Sequence, residues 1–246
     1  MNLDSPRTAA IIGASSGIGE ALARQLAAEG WRVGLVARRL DLLEKLVVEI
    51  GPGTAIRRID VADPKAAAET LEQFIAELGG VSLVVISAGV GNLNPTLEWT
   101  PDHETLAVNV LGFAAVAQVA MRHFIDRRQG HLVGISSIAA LRGSGVAAAY
   151  GASKAFQSTY LDGLRELARK SGFPIVVTEV QPGFVDTAMM KTDQPLPPTI
   201  KRLLVAAPEI AAAQILRAVR NRVKHAYIPR RYGAIAFLLK RMPRPG

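Results

Sequence analysis

The chain has 246 residues, 49% hydrophobic and 20% charged, enough apolar material for one large globular domain and too balanced for an intrinsically disordered chain. There is no cysteine, which excludes disulfides and thiolate metal sites, and His103, His123, His131 and His225 show no ligand spacing, so no metal is expected. The net charge of +8 is concentrated: Glu209 is the last acidic residue and nine basic residues follow it, so residues 1–209 carry a net charge of −1 and do not compose a nucleic-acid-binding body.

Met1 to Pro6 has no basic segment followed by an apolar run, and no stretch is expected to reach the roughly 20 apolar residues of a membrane span, so a cytoplasmic location is expected. Thr8 to Ile12 reads as a short buried strand. It stops at Gly13-Ala14-Ser15-Ser16-Gly17-Ile18-Gly19, after which Ile18, Ala21, Leu22, Gln25 and Leu26 recur at helical spacing. Glycines at such a corner let the backbone approach a phosphate, and the free amides and dipole of a helix start favour negative charge. Gly30 ends the helix and Arg32 to Ala37 is a second strand, completing a βαβ unit of the length that binds dinucleotides. That strand runs into Arg38 and Arg39 with no carboxylate. Paired guanidiniums suit a 2′-phosphate and favour NADP(H) over NAD(H), unless they are simply solvated arginines opening the next helix.

Leu40 to Ile50 is amphipathic and is broken by Gly51-Pro52-Gly53. A third strand ends at Asp60-Val61, where Asp60 either lies near an adenine amino group or caps the helix that follows Asp63-Pro64. Ser82 to Ser87 is the fourth strand, closing on Ala88-Gly89, a second close approach of backbone to cofactor. Thr100-Pro101 starts a helical pattern that runs toward Ile125 and contains Asn109 among Leu106, Val108, Val110 and Leu111. A buried asparagine must be satisfied, either by backbone at a kink or by holding a water in a proton path. Gly130 to Ser137 is the fifth strand.

Tyr150-Gly151-Ala152-Ser153-Lys154 then opens a helix with a phenol and an ammonium on one face. A free tyrosine ionises near pH ~10, and a fixed positive charge nearby brings that ionisation toward neutrality, so Tyr150 is expected to trade a proton with a substrate oxygen. The plain alternative is a surface tyrosine beside a solvated lysine. The helix ends near Gly172, Pro174 to Val180 is a β-branched sixth strand, Pro208 to Arg222 is a helix, and Tyr227-Ile228 is a final short strand. Strands alternating with helices imply an α/β fold, a Rossmann-like doubly wound parallel sheet with helices on both faces in a single domain, residues 1–246. In such a sheet strand ends and helix starts converge, which brings Ser137 beside Tyr150.

Together these motifs resemble the short-chain dehydrogenase/reductase family in its single-domain form, over nearly the whole chain. The resemblance rests on the glycine motif Gly13 to Gly19, Asn109, Ser137, Tyr150 with Lys154, and Pro182-Gly183. It implies that Tyr150 is the general acid or base, that Lys154 lowers its pKa and holds the nicotinamide ribose, that Ser137 positions the substrate carbonyl and that Asn109 anchors a relay water. It further implies that Val185 and Thr187 contact the nicotinamide carboxamide, that Asp60 and Val61 line the adenine, and that the protein is a homodimer or homotetramer. One departure is visible: Ile86-Ser87-Ala88-Gly89 stands where the family usually has Asn-Asn-Ala-Gly, which puts hydrogen bonding between central strands in question, and the Ser87 hydroxyl is a partial substitute.

In the family the segment after Pro-Gly covers the substrate. Here it is residues 184–207, carrying Met189, Met190, Leu196, Ile200, Leu203 and Leu204, so an apolar alcohol or ketone under a mobile lid is expected. Residues 229–246 form a basic tail with an apolar centre, suited either to packing beside the pocket or on a neighbouring subunit, or to an anionic lipid surface, and lacking any nucleic-acid recognition motif. The function expected is NADP(H)-dependent interconversion of a ketone or aldehyde and an alcohol. The alternatives are a nucleotide-binding scaffold without turnover, or a lyase or isomerase on the same fold.

Overall fold

The computed structural model describes residues 7–190 and 204–241. Seven strands, β1 (Thr8–Ile12), β2 (Arg32–Ala37), β3 (Ala55–Arg58), β4 (Leu83–Ile86), β5 (Gly130–Ile135), β6 (Ile175–Pro182) and β7 (His225–Ile228), make one parallel sheet in the order β3-β2-β1-β4-β5-β6-β7. β1 and β4 are buried along their whole length, which is why they read as unbroken apolar runs: a parallel strand is covered on both faces. The period of two sorts their side chains. Ala9, Ile11, Leu35 and Val85 point into one core with α1 (Gly17–Ala28), α2 (Leu40–Ile50) and α7 (Pro208–Arg220). Ala10, Ile12, Val36 and Val84 point into the other, with α3 (Pro64–Glu77), α5 (Phe113–Asp126) and α6 (Ala148–Ser171). The Rossmann-like architecture expected from the alternation of elements is the one found.

Boundaries shift where side chains compete with the ladder. The third strand stops at Arg58, short of Asp60-Val61, because the Asp60 carboxylate accepts the Ala62 amide at 3.0 Å and turns the chain. Asp63, not Asp60, caps α3, accepting from the Ala66 amide at 3.1 Å with Pro64 in the first turn. The fifth strand stops at Ile135, since Ser137 caps a short 3₁₀ turn, Ile138–Leu141, by accepting from the Ala139 amide at 3.1 Å. The sixth runs on to Pro182. The helical pattern from Thr100 begins at Trp99 as α4 (Trp99–Leu106) and passes through a π-helical segment, Ala107–Gly112, before α5.

Contrary to expectation, the continuous helical stretch Trp99–Asp126 is long and apolar enough to cross a membrane, but 61% of its most apolar part is buried inside the protein, against the sheet and α3 and α6. It is a core helix. Ile86-Ser87, standing where the resemblance places two asparagines, leaves the central junction intact, because the Ser87 and Ala88 amides both donate to the Ile12 carbonyl at 2.8 Å. After β7, α8 (Tyr232–Arg241) folds back over the end of the sheet. Most of the expected lid, residues 191–203, lies outside the described residues.

At the opposite end of β5, His131 is buried with Nε2 2.8 Å from Thr178 Oγ1, whose own proton goes to the Val223 carbonyl at 2.6 Å. Burial holds the imidazole down to about 4. An unfolded histidine titrates near ~6.5, so between those two values the unfolded chain takes up a proton that the folded one refuses. The stability this neutral side chain permits is complete above pH ~6.5 and is lost as pH falls toward ~4, to a limit of about 3 kcal/mol. Urea unfolding of the wild type and of His131→Gln is expected to show a loss of stability between about pH 7 and pH 4 that is about 2 kcal/mol smaller in the variant. Parallel losses would show that His131 does not titrate as a buried neutral group.

Candidate active site

Strand order reverses between β1 and β4, and the carboxyl ends of the strands open there into a cleft of about 920 Å³. Gly13 makes this corner possible. Its φ is +92°, and a Cβ at that position would lie 2.4 Å from the Ala88 backbone nitrogen, so any other residue would push β4 away. Gly19 packs against the Gly13 carbonyl, seating α1 on the loop, and Gly17 faces the Thr187 methyl. Ser16 is the N-cap of α1, yet its hydroxyl makes no capping bond. Instead it and Ser15 accept from Arg39 Nη2 at 2.8 and 2.9 Å. The first amides of α1 are thus left without a side-chain cap, beside a guanidinium.

Ile18, Arg38, Asp60 and Val61 line the same arm of the cleft, as do Ala88 and Gly89. Arg38 stands on its rim, its carbonyl accepting from Arg58 Nε at 3.2 Å, which adds a third guanidinium to that end. A cradle that a single Cβ would fill, an uncapped helix start and clustered arginines fit a dinucleotide with its diphosphate on the glycine loop. The other arm holds Pro182, Gly183, Val185 and Thr187. Val185 bridges to Ala206, while Gly183 lies against the Tyr232 ring so closely that a Cβ would be 2.1 Å from it. Tyr232 Oη accepts from the Phe184 amide at 3.3 Å and donates to the Leu204 carbonyl at 3.2 Å. The tail therefore packs beside the pocket, and Leu239 of α8 reaches its lining.

α6 begins two residues ahead of Tyr150, so Tyr150 and Lys154 sit one turn apart on its cleft side. Ser137 lines the cleft beside Tyr150, and its hydroxyl favours the ionised form of that phenol. Lys154 is 4% exposed and donates to the Ile135 carbonyl at 3.1 Å and to Gln157 Oε1 at 3.0 Å, with Nζ 5.8 Å from the Tyr150 ring centroid. The expectation of an acidified phenol needs correction here. Burial pushes the Tyr150 phenol up and the Ser137 hydroxyl opposes this, while burial pushes the Lys154 ammonium down to about 7. The spacing of Tyr150 and Lys154 anticipates their shared helix face, but not that desolvation weakens the charge meant to act.

Asn109 lies in the π-helical segment, fully buried. Its Oδ1 accepts from the Val90 amide at 2.9 Å, and its Nδ2 donates to the Val90 carbonyl at 2.8 Å and to Ser153 Oγ at 3.0 Å. Its side chain thus ties backbone at a helix irregularity, one of its two expected roles. Its backbone carbonyl accepts from Gln157 Nε2 at 2.9 Å, and Gln157 Oε1 in turn accepts from Lys154.

Three side chains escape the sequence reading. Gln157 was hidden among ordinary helix residues. Leu239 belongs to a tail whose destination no local pattern reveals. Glu179 carried a signal, a lone carboxylate in a β-branched run. It is fully buried, and burial alone would push its carboxyl up, but bonds from His225, Ser136, Ser158 and Gln181 hold it down at about 2. The bonds from Ser136, Gln181 and His225 Nδ1 measure 2.6, 2.8 and 2.9 Å. Glu179 thereby joins the ends of β5 and β6 to α6 and β7 directly beneath the cleft.

A nucleotide-binding Rossmann-like sheet with this cleft defines the class, and comparison with known proteins gives the family. Residues 7–196 match the family model for short chain dehydrogenases. An uncharacterized oxidoreductase of Myxococcus xanthus is 40% identical over 199 residues, 78% of each chain, and one from Mycobacterium tuberculosis is 35% identical over 189 residues, 73% of each. Among solved structures, an alcohol dehydrogenase from Thermococcus sibiricus complexed with 5-hydroxy-NADP is 25% identical, with a TM-score of 0.75 over 90% of this chain and 95% of that one. A short-chain dehydrogenase/reductase from Burkholderia phymatum in complex with NAD shares the fold at 21% identity, with a TM-score of 0.82 over 100% of this chain and 99% of that one. The chain belongs to the short-chain dehydrogenase family of oxidoreductases.

The contact between Gly183 and Tyr232 makes the seating of α8 testable. Gly183→Ala is expected to expel the ring, release α8 and speed trypsin cleavage at Arg230 and Arg231 by at least about tenfold, with the circular dichroism of the sheet and other helices retained. Unchanged cleavage would show that α8 is not held through this contact.

Proposed function

We propose that the protein reduces a ketone or aldehyde on an apolar small molecule, and oxidises the corresponding alcohol, with NADP(H) preferred over NAD(H). The observation that carries this reading is the Tyr150–Ser137 pair, set in the one cleft whose far arm is the Gly13 to Gly19 loop with Arg39. When bound, the reduced nicotinamide supplies a hydride to the carbonyl carbon.

The remaining work falls to this chain. Ser137 donates a hydrogen bond to the substrate oxygen and orients it toward the Tyr150 hydroxyl. Burial keeps that phenol protonated through the neutral range, which is the form required to deliver a proton as the oxygen gains charge. Oxidation of the alcohol needs the deprotonated phenol and is therefore favoured by alkaline conditions. Lys154 holds the nicotinamide ribose from the floor of the cleft, and Val185 and Thr187 orient the carboxamide. The amides of the glycine loop hold the diphosphate. Arg38 and Arg39 take the 2′-phosphate, a choice supported by the 5-hydroxy-NADP complex of the Thermococcus sibiricus alcohol dehydrogenase. Leu93, Ile138, Ala139, Met189 and Leu239 supply an apolar wall for the substrate beyond Tyr150, with Arg142 among them.

The test is NADPH consumption against a panel of ketones and aldehydes, from aliphatic to steroid-sized. Tyr150→Phe is expected to lower kcat by about 100-fold or more with NADPH affinity retained, and equal rates would overturn the assigned role. Arg39→Ala is expected to raise the KM for NADPH about tenfold and leave that for NADH nearly unchanged. Equal effects on both cofactors would remove the basis for NADP preference.

A further inference from the structure

Gln157 is fully buried on α6, three residues beyond Lys154, and no motif marks it. Its amide spans two groups of opposite demand. Nζ of Lys154 can only donate and the Asn109 carbonyl can only accept, so Oε1 must face the ammonium, at 3.0 Å, and Nε2 the carbonyl, at 2.9 Å. The carbonyl is available because of the π-helical segment. In an α-helix the Phe113 amide would bond Asn109, whereas here it bonds Val108 and Val110. The distortion and the glutamine thus belong to one device, an arm from the helix irregularity to the lysine.

Around Nζ stand the Ile135 carbonyl from β5, Gln157 and Tyr150 from α6, and Gly89 after β4, where a Cβ would come within 3.3 Å. Tyr150 is the one titratable group among these, and no carboxylate of the described residues is bonded to Nζ. What favours its charged form against desolvation is therefore a set of neutral dipoles. Two of its three hydrogens are held by Ile135 and Gln157, which aims the third toward the cleft.

We propose that Gln157 is a positioning residue that keeps Lys154 protonated and pointed into the cleft, and so sets the upper pH limit of the reductive reaction. The inference rests on the roles proposed for Tyr150 and Lys154. As pH rises the lysine, at about 7, loses its proton well before the tyrosine, whose phenol is pushed up, so the alkaline limb of the reductive pH profile belongs to Lys154. Removing the Gln157 carbonyl withdraws a dipole that favours the charged form.

Two measurements on Gln157→Leu test this, with Gln157→Met, which keeps the side-chain length, as the second variant should leucine unfold the chain. In the protein without added nucleotide, the Lys154 Nζ titration followed by heteronuclear NMR is expected to move down by about one pH unit. An unmoved titration overturns the inference whatever the activity does. In NADPH-dependent reduction, the alkaline limb of kcat/KM is expected to move by the same amount, with the loss concentrated on the alkaline side; a loss uniform in pH would mean a merely structural side chain and would also overturn it. If the titration moves and the limb does not, Gln157 still governs Lys154, and the catalytic role given to Lys154 is what fails.

Discussion

The Ile12 carbonyl receives two amides, those of Ser87 and Ala88, each at 2.8 Å, and everything functional in the molecule is arranged around that clamp. It joins β1 to β4 at the point where strand order reverses, and Gly13, next along the chain, is the residue that lets the joint close. A cleft at this position follows from topology: crossovers leave in opposite directions from the two strands and nothing fills the space between their ends. The clamp is made by backbone, so it does not depend on the side chains at Ser87 and Ala88.

Beneath the cleft, charge is buried in two different ways. Glu179 is surrounded by four donors and stays ionised, because the hydrogen bonds outweigh its desolvation. Lys154 has two neutral acceptors and, among the described residues, no bonded counter-ion, and desolvation leaves it close to losing its proton at neutral pH. The first arrangement is a rigid support that ties β5, β6, β7 and α6 together. The second is a responsive one, since a group titrating near the operating pH changes state for small changes in its surroundings.

The tail completes the site from the other side. Tyr232 seals against Gly183, Ala236 is buried one turn later, and Leu239 reaches the cleft after that, a spacing that turns one stripe of α8 inward. Its opposite stripe, with Phe237 and Leu238 outward and Arg241 over the Phe237 ring, keeps the basic and aromatic character that suggested a lipid-facing segment. α8 thus belongs to the architecture of the pocket as well as to the surface.

Local pattern sufficed for most of the fold and for the motif residues. The limits of β2 and α2, the glycine corner and the shared face of Tyr150 and Lys154 all depend on interactions within a few residues, and such interactions are written in adjacent letters. Where Asn109 spends its hydrogen bonds, what holds Lys154, why Glu179 is charged and where Leu239 ends up depend on partners that other elements of the fold bring to them. So does the ionisation of the candidate site: spacing shows that a lysine stands one turn from a tyrosine, but only packing decides how much water each has lost, and that loss drives the phenol up and the ammonium down.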